Sequence, residues 1–175
     1  MKRSISVWNF FGFAITSLGG TLLHFLYDFT NQNPISALFS GVNESTFEHM
    51  KLLFFPLFFF AIFQYFFFKE YQNFWCVKLI GVLFGLALIP TIFYTYNGVF
   101  GKSPDWVNIS IFFVSAAIVF IVETKLLKQN KIKCRYPKIC LLAICIIGIL
   151  FIIFTFYPIQ IPIFQDPITK AYGIS

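Results

Sequence analysis

Charge is scarce in this chain: 11% of its residues are Asp, Glu, Lys or Arg, against about 25% in ordinary soluble domains. That scarcity excludes a solvated globular surface for most of the sequence. Histidine is scarcer still, with two residues, so any imidazole chemistry must use His24, His49 or both. The four cysteines contain no Cys-x-x-Cys pair, which excludes zinc-ribbon spacing, and there is no His-Glu-x-x-His helix of the kind that holds zinc in metalloproteases. No internal repeat is detectable, which argues against transporters built from inverted halves. No small-x-small cleavage site follows the first apolar run, so that run reads as an uncleaved first helix rather than a signal peptide.

What is present is apolar: 58% of the residues are hydrophobic. A spanning helix needs about 20 predominantly apolar residues, and five segments qualify, at about 7–27, 50–68, 79–96, 106–121 and 139–156. The expected fold is therefore an all-α integral membrane protein, a single transmembrane domain over residues 1–175 with five helices. An outer loop covers 29–45, a basic cytoplasmic loop 124–138 and an outer tail 157–175. Lys125, Lys128, Lys131, Lys133, Arg135 and Lys138 share that one loop. With Lys2, Arg3, Lys69 and Lys78 they place ten basic residues on one side, against Lys51, Lys102 and Lys170 on the other. The positive-inside rule then puts the N-terminus in the cytoplasm and the C-terminus outside, in the cell membrane. The basic loop reads as a topology anchor that touches anionic lipid head groups, not as a nucleic-acid patch. Cys76, Cys134, Cys140 and Cys145 fall on the same reducing side, which argues against disulfides and for packing roles.

The first helix carries Gly12, Thr16, Gly20, His24 and Asp28 at four-residue spacing, one slowly turning face. Small residues on such a face admit another helix closely, and Gly81 with Gly85 forms a GxxxG on the third helix. Gly12/Gly20 and Gly81/Gly85 are thus candidate faces for a second copy or another membrane protein. In the outer loop Pro34 is expected to start a short interfacial or re-entrant helix that ends near Gly41. Ser45 and Glu48 form a capping-box pattern, Pro56 is positioned to kink the second long helix, and Gln64 is expected to face protein. Ser103 reads as an N-cap before Pro104, and Glu123 as a solvated residue beside Lys125. After residue 156, Pro158, Pro162 and Pro167 forbid another regular helix, so the tail is expected to lie extended over the outer surface.

Intramembrane ionisable groups are costly and normally face a cavity or a partner. His24, Asp28, Glu48 and His49 all fall at the outer mouth of the first two long helices, and are the candidate catalytic set. His24, Asp28 and His49 are the candidate ligands of a divalent metal such as zinc, with an open position for water. Without metal, Asp28 or Glu48 would be a general base beside a histidine. Asn43, Glu44, Lys51 and Asp166 are candidate substrate contacts. Each also has a plainer reading: Glu48 as the capping partner of Ser45, Lys51 as its ion-pair partner at i+3, and Asp28 as a solvated helix end.

The segments from Asn33-Pro34 through Val42-Asn43-Glu44-Ser45 to Glu48-His49-Met50-Lys51 and Pro56, with the closing Phe164-Gln165-Asp166-Pro167 and Tyr172-Gly173, resemble an uncharacterised family of small multi-pass membrane proteins from Gram-positive bacteria. The resemblance covers nearly the whole chain and implies a multi-pass fold, with no activity attached. Similarity to the His-and-Asp sites of seven-helix hydrolases of the alkaline ceramidase type fails on helix number and on a missing third histidine. The expected function is a metal-dependent hydrolase or transferase acting on a lipid-linked or head-group substrate. An accessory subunit of a membrane complex and a small transporter or ion-binding protein are the alternatives.

Overall fold

The computed structural model describes residues 4–174; Lys2 and Arg3, used in the charge argument, lie outside them. The element order is α1 (Ile5–Phe29), a single turn α2 (Pro34–Ala37), α3 (Thr46–Tyr65), α4 (Phe74–Phe100), α5 (Asp105–Gln129), α6 (Pro137–Phe156) and a 3-10 turn, Pro162–Phe164. Among the described residues there is no sheet, and the five long helices are each long and apolar enough to cross a membrane. This is a multi-pass membrane protein.

α3 is the axis of the bundle: 67% of its apolar window is buried, against 22–44% for the other four helices. It meets α1 antiparallel. Asn9 lies against Gln64, Gly12 against Phe60 and Gly20 against Leu52. α1 meets α5 in the same sense, with Asn9 on Thr124, Gly12 on Phe120 and Gly20 on Phe112. α4 and α5 are likewise antiparallel, with Gly81 on Glu123 and Gly85 on Val119. These contacts correct the expected use of the glycine faces. A Cβ at Gly12 would sit 2.5 Å from ring carbons of both Phe60 and Phe120, and one at Gly81 would sit 2.5 Å from the Glu123 carboxylate. Gly12, Gly20, Gly81 and Gly85 let this chain's own helices close on each other, so they present no docking face to a partner. Large apolar side chains cover the outside instead: Phe10, Leu18, Leu22 and Phe25 on α1 and Ile139, Leu142, Ile146 and Ile149 on α6 are all exposed, the surface a lipid bilayer wets.

Three boundaries differ from the sequence reading. α3 begins at Thr46 because Ser45 caps it, accepting from the Glu48 N–H at 3.4 Å, and it runs through Pro56 to Tyr65. α5 continues past residue 121 to Gln129, because Glu123 is buried and paired rather than solvated. The basic loop therefore contracts to residues 130–136 between α5 and α6. α2 ends at Ala37, short of Gly41. The N-cap of α5 is Pro104; Ser103 instead bonds Asn97 and Asn108. The cysteine expectation is corrected too. Cys76 and Cys134 form a disulfide, because the 130–136 loop folds back over the N-terminus of α4.

Candidate functional site

Opposite the basic loop, the C-terminal end of α1 and the first turn of α3 face each other across the α1–α3 register. That register sets His24 beside His49, with ring centroids 5.7 Å apart. The intervening loop is pinned by short-range bonds. Asn33 caps α2 by accepting from the Ile35 N–H at 2.8 Å, Thr30 Oγ1 donates to Ser36 Oγ at 2.7 Å, and Ser40 Oγ donates to the Ser36 carbonyl at 2.6 Å. This hands Glu44 to the gap between the imidazoles. Its Oε1 lies 3.7 Å from His24 Nε2 and its Oε2 lies 3.6 Å from His49 Nε2.

His49 Nδ1 lies 3.0 Å from the Ser45 carbonyl oxygen. A carbonyl only accepts, so Nδ1 carries a proton and donates. In neutral His49 the Nε2 lone pair then points at the Glu44 carboxylate. Two acceptors facing each other need a cation between them, either a proton or a metal ion. The 3.6–3.7 Å separations exceed the about 2.7–2.9 Å of a charge-assisted hydrogen bond. Two ligands bound to one ion at about 2.0–2.1 Å with a tetrahedral or trigonal angle stand about 3.3–3.6 Å apart.

The trio opens into a cavity of about 420 Å³ between α1 and α5. Phe25, Ile109 and Phe112 form its apolar wall, Asp105 and Asn108 bring polar groups from the first turn of α5, and Ile168 of the tail closes one side. A cleft of about 110 Å³ adjoins it and carries Lys102 and Asn97. Leu52 also lines the cavity. Pro56 has no N–H to give the Leu52 carbonyl, and Gly20 approaches that oxygen, at 2.9 Å from where a Cβ would be.

The other expected site residues go elsewhere. Glu48 is 1% exposed and Lys51 fully buried. Their ion pair faces α6, where Lys51 Nζ donates to the Ala37 carbonyl at 3.0 Å and to Thr155 Oγ1 at 2.8 Å. Glu48 reaches back to the Val42 N–H at 3.3 Å rather than to Ser45, so half of the capping box forms. Consecutive helical residues point about 100° apart, which is why Glu48 turns inward while His49 meets the cavity. Asp28 is exposed and does not line it. Asn43 and Asp166 fasten the tail. Asn43 Nδ2 donates to the Gly173 carbonyl at 2.9 Å, and the Glu44 N–H donates to Asp166 Oδ2 at 3.2 Å. Burial alone would raise the Asp166 pKa, but backbone N–H donors from Thr169, Ile168 and Glu44 outweigh it and hold the carboxyl below its ordinary value.

The sequence reading missed a second polar core towards the basic end. Lys78 of α4 and Glu123 of α5 are both fully buried and ion-paired. The Lys78 ammonium also lies 5.4, 5.5 and 6.0 Å from the ring centres of Phe120, Phe74 and Phe60. Beside the pair, Gln64 Nε2 donates to Asn9 Oδ1 and Asn9 Nδ2 to Thr124 Oγ1, both at 2.9 Å. The apolar residues on both sides of Glu123, Ile121-Val122 and Leu126-Leu127, were the signal that it lay inside a helix.

Residues 1–174 match the model of a family of unknown function, DUF6512, and the chain belongs to that family. No curated protein and no solved structure matches it.

Proposed function

We propose that the His24–Glu44–His49 end faces outward from the cell membrane and holds one divalent cation of the zinc type. On this reading the protein is a hydrolase or transferase for an amphiphile that enters from the outer leaflet. The observation that carries the reading is the proton on His49 Nδ1, which aims a bare Nε2 at a carboxylate. An Nδ1–H bond to a backbone carbonyl is the usual support of a metal-binding histidine. Glu44 takes the ligand role first given to Asp28. Each histidine faces a different oxygen of Glu44, so binding draws the two imidazoles inward by side-chain rotation.

The orientation rests on charge. With Lys78 and Lys51 withdrawn into ion pairs, nine basic residues remain at one end against two at the other, and the asymmetry persists. The cavity supports the substrate class. Phe25 and Ile109, 62% and 58% exposed, leave an apolar side entrance for an acyl or prenyl chain, while Asp105 and Asn108 orient its polar group. A bound ion would lower the pKa of water or a substrate hydroxyl at its open position.

Protein purified in mild detergent should retain about one equivalent of a divalent metal. His24→Ala, His49→Ala and Glu44→Gln should each abolish retention, and Asp28→Asn should preserve it. Retention should fall as pH drops through about 6.5, where imidazoles take up protons in place of the metal. Incubation with a bacterial lipid extract should give head-group release by the wild type and not by His49→Ala. A metal-free protein whose melting ignores zinc and chelator alike sinks the proposal.

A further inference from the structure

A second chemical centre lies at the opposite end of the bundle. Cys76 is the third residue of α4, Cys140 the fourth of α6, and Cys134 sits in the loop between α5 and α6. Among the described residues these sulfurs are the one group of three or more His, Cys, Asp or Glu ligand atoms lying within 4.8 Å of one another. Cys76 and Cys134 are bonded, and Cys140 Sγ stands 2.6 Å from Cys76 Sγ. All three are half-buried, hence reachable from solvent. Cys145, one turn further into α6, takes no part.

We propose that Cys76, Cys134 and Cys140 form a thiol–disulfide exchange centre with Cys76 as the shared sulfur, and that it takes small anionic disulfides from solution. Cys76 and Cys140 lie in first turns of helices, where unpaired N–H groups and the macrodipole favour a thiolate. Cys134 lies between Lys133 and Arg135, with Lys131 and Lys138 close in sequence, and these basic side chains are exposed. They favour its thiolate and attract a carboxylate-bearing disulfide. The charge-derived orientation puts this end in the cytoplasm, where disulfides are transient and serve catalysis or sensing.

The steps balance. The Cys134 thiolate attacks one sulfur of the incoming disulfide, forming a mixed disulfide and expelling one thiolate. The Cys76 thiolate attacks Cys134 Sγ and expels the second. The Cys76–Cys134 bond forms, the cluster gives up two electrons, and the small disulfide becomes two thiols. The Cys140 thiolate then attacks Cys76 Sγ; the Cys76–Cys140 bond forms as the Cys76–Cys134 bond breaks, and the Cys134 thiolate is set free with no net oxidation. The basic loop is thereby unclasped from α4, and α6 is tied to α4 in its place.

The test uses reduced, full-length protein in detergent, oxidised with glutathione disulfide as the anionic probe and cystamine as the cationic one. Alkylation and peptide mass spectrometry then assign the bonds. Of the four cysteines, two should alkylate before reduction and all four after it. Cys134→Ser should move the bond to Cys76–Cys140, and Cys140→Ser should leave Cys76–Cys134 alone. The anionic probe should react about tenfold faster at low ionic strength, the gap closing with added salt, and Cys134→Ser should erase that preference. The proposal is overturned by a Cys134→Ser protein without a Cys76–Cys140 bond, by equal rates for both probes, or by a metal ion held on three thiols that resist oxidation.

Discussion

Lys78→Met is the most informative single perturbation of the bundle. It removes the partner of a carboxylate that has no exposure and sits between α4 and α5. Leaving such a charge unpaired costs about 3–5 kcal/mol, and the contacts of the ammonium with three phenylalanine rings are lost as well. At about 2–4 °C per kcal/mol for a chain of this size, the melting temperature in detergent should fall by about 6–20 °C. Glu123→Met should do the same for the converse reason, a buried ammonium without a counter-charge. The double variant leaves no charge and two side chains of similar volume, and should return to wild-type stability or exceed it by about 1–4 kcal/mol. Thermal unfolding of the four proteins, read by intrinsic tryptophan fluorescence, completes the cycle. If Lys78→Met melts within about 2 °C of wild type, or the double variant is as weak as the singles, the pair does not govern the α4–α5 interface as argued.

Other expectations follow from the packing and the tail. Gly12→Ala should destabilise by about 1–3 kcal/mol through overpacking against Phe60 and Phe120, whereas Gly98→Ala, with open space around its Cβ position, should be neutral or stabilising by up to about 1 kcal/mol in the same melting assay. Asp166 has a folded pKa below its unfolded value of about 3.9. Its contribution is therefore complete above that pH and lost as pH falls through the folded pKa. Hydrogen exchange at the Glu44, Ile168 and Thr169 amides should accelerate, beyond intrinsic rates, in that acid range, and Asp166→Asn should flatten the response. In a cysteine-free background, a cysteine placed at residue 132 should label only after cells are permeabilised, and one at residue 161 should label in intact cells; the reverse pattern inverts the proposed orientation.

The five helices were legible because length and hydropathy alone fix them, and so was the proximity of His24 and His49 once α1 and α3 were taken as neighbours. Which acid joins them was not. Asp28 shares a face with His24 by periodicity, but four residues of rise carry it out of the cavity. Glu44 lies in a loop whose path depends on Asn33, Thr30 and Ser36 bonding across turns, which periodicity does not record. Glu123 was misplaced because a charge was taken as the end of a span, although a pairing lysine 45 residues earlier removes the cost. The GxxxG pair was read as an outward invitation when its purpose is to make room for that same carboxylate. The disulfide was invisible because cysteines 58 residues apart meet only through the return of the 130–136 loop.

The fastening of Glu44 to Asp166 and of Asn43 to Gly173 has a consequence for how the protein comes into being. The histidines and their carboxylate are made early, yet the backbone that holds Glu44 is completed by residues 122 and 130 positions later. At about 5–20 residues per second of synthesis, the first two long helices wait about 6–24 s before the tail that finishes their site emerges. A chain released before its last ten residues would carry both imidazoles and the acid without the clasp that sets them. The site is thus assembled only in a finished molecule, and the C-terminus acts as a proof of completion written into the fold.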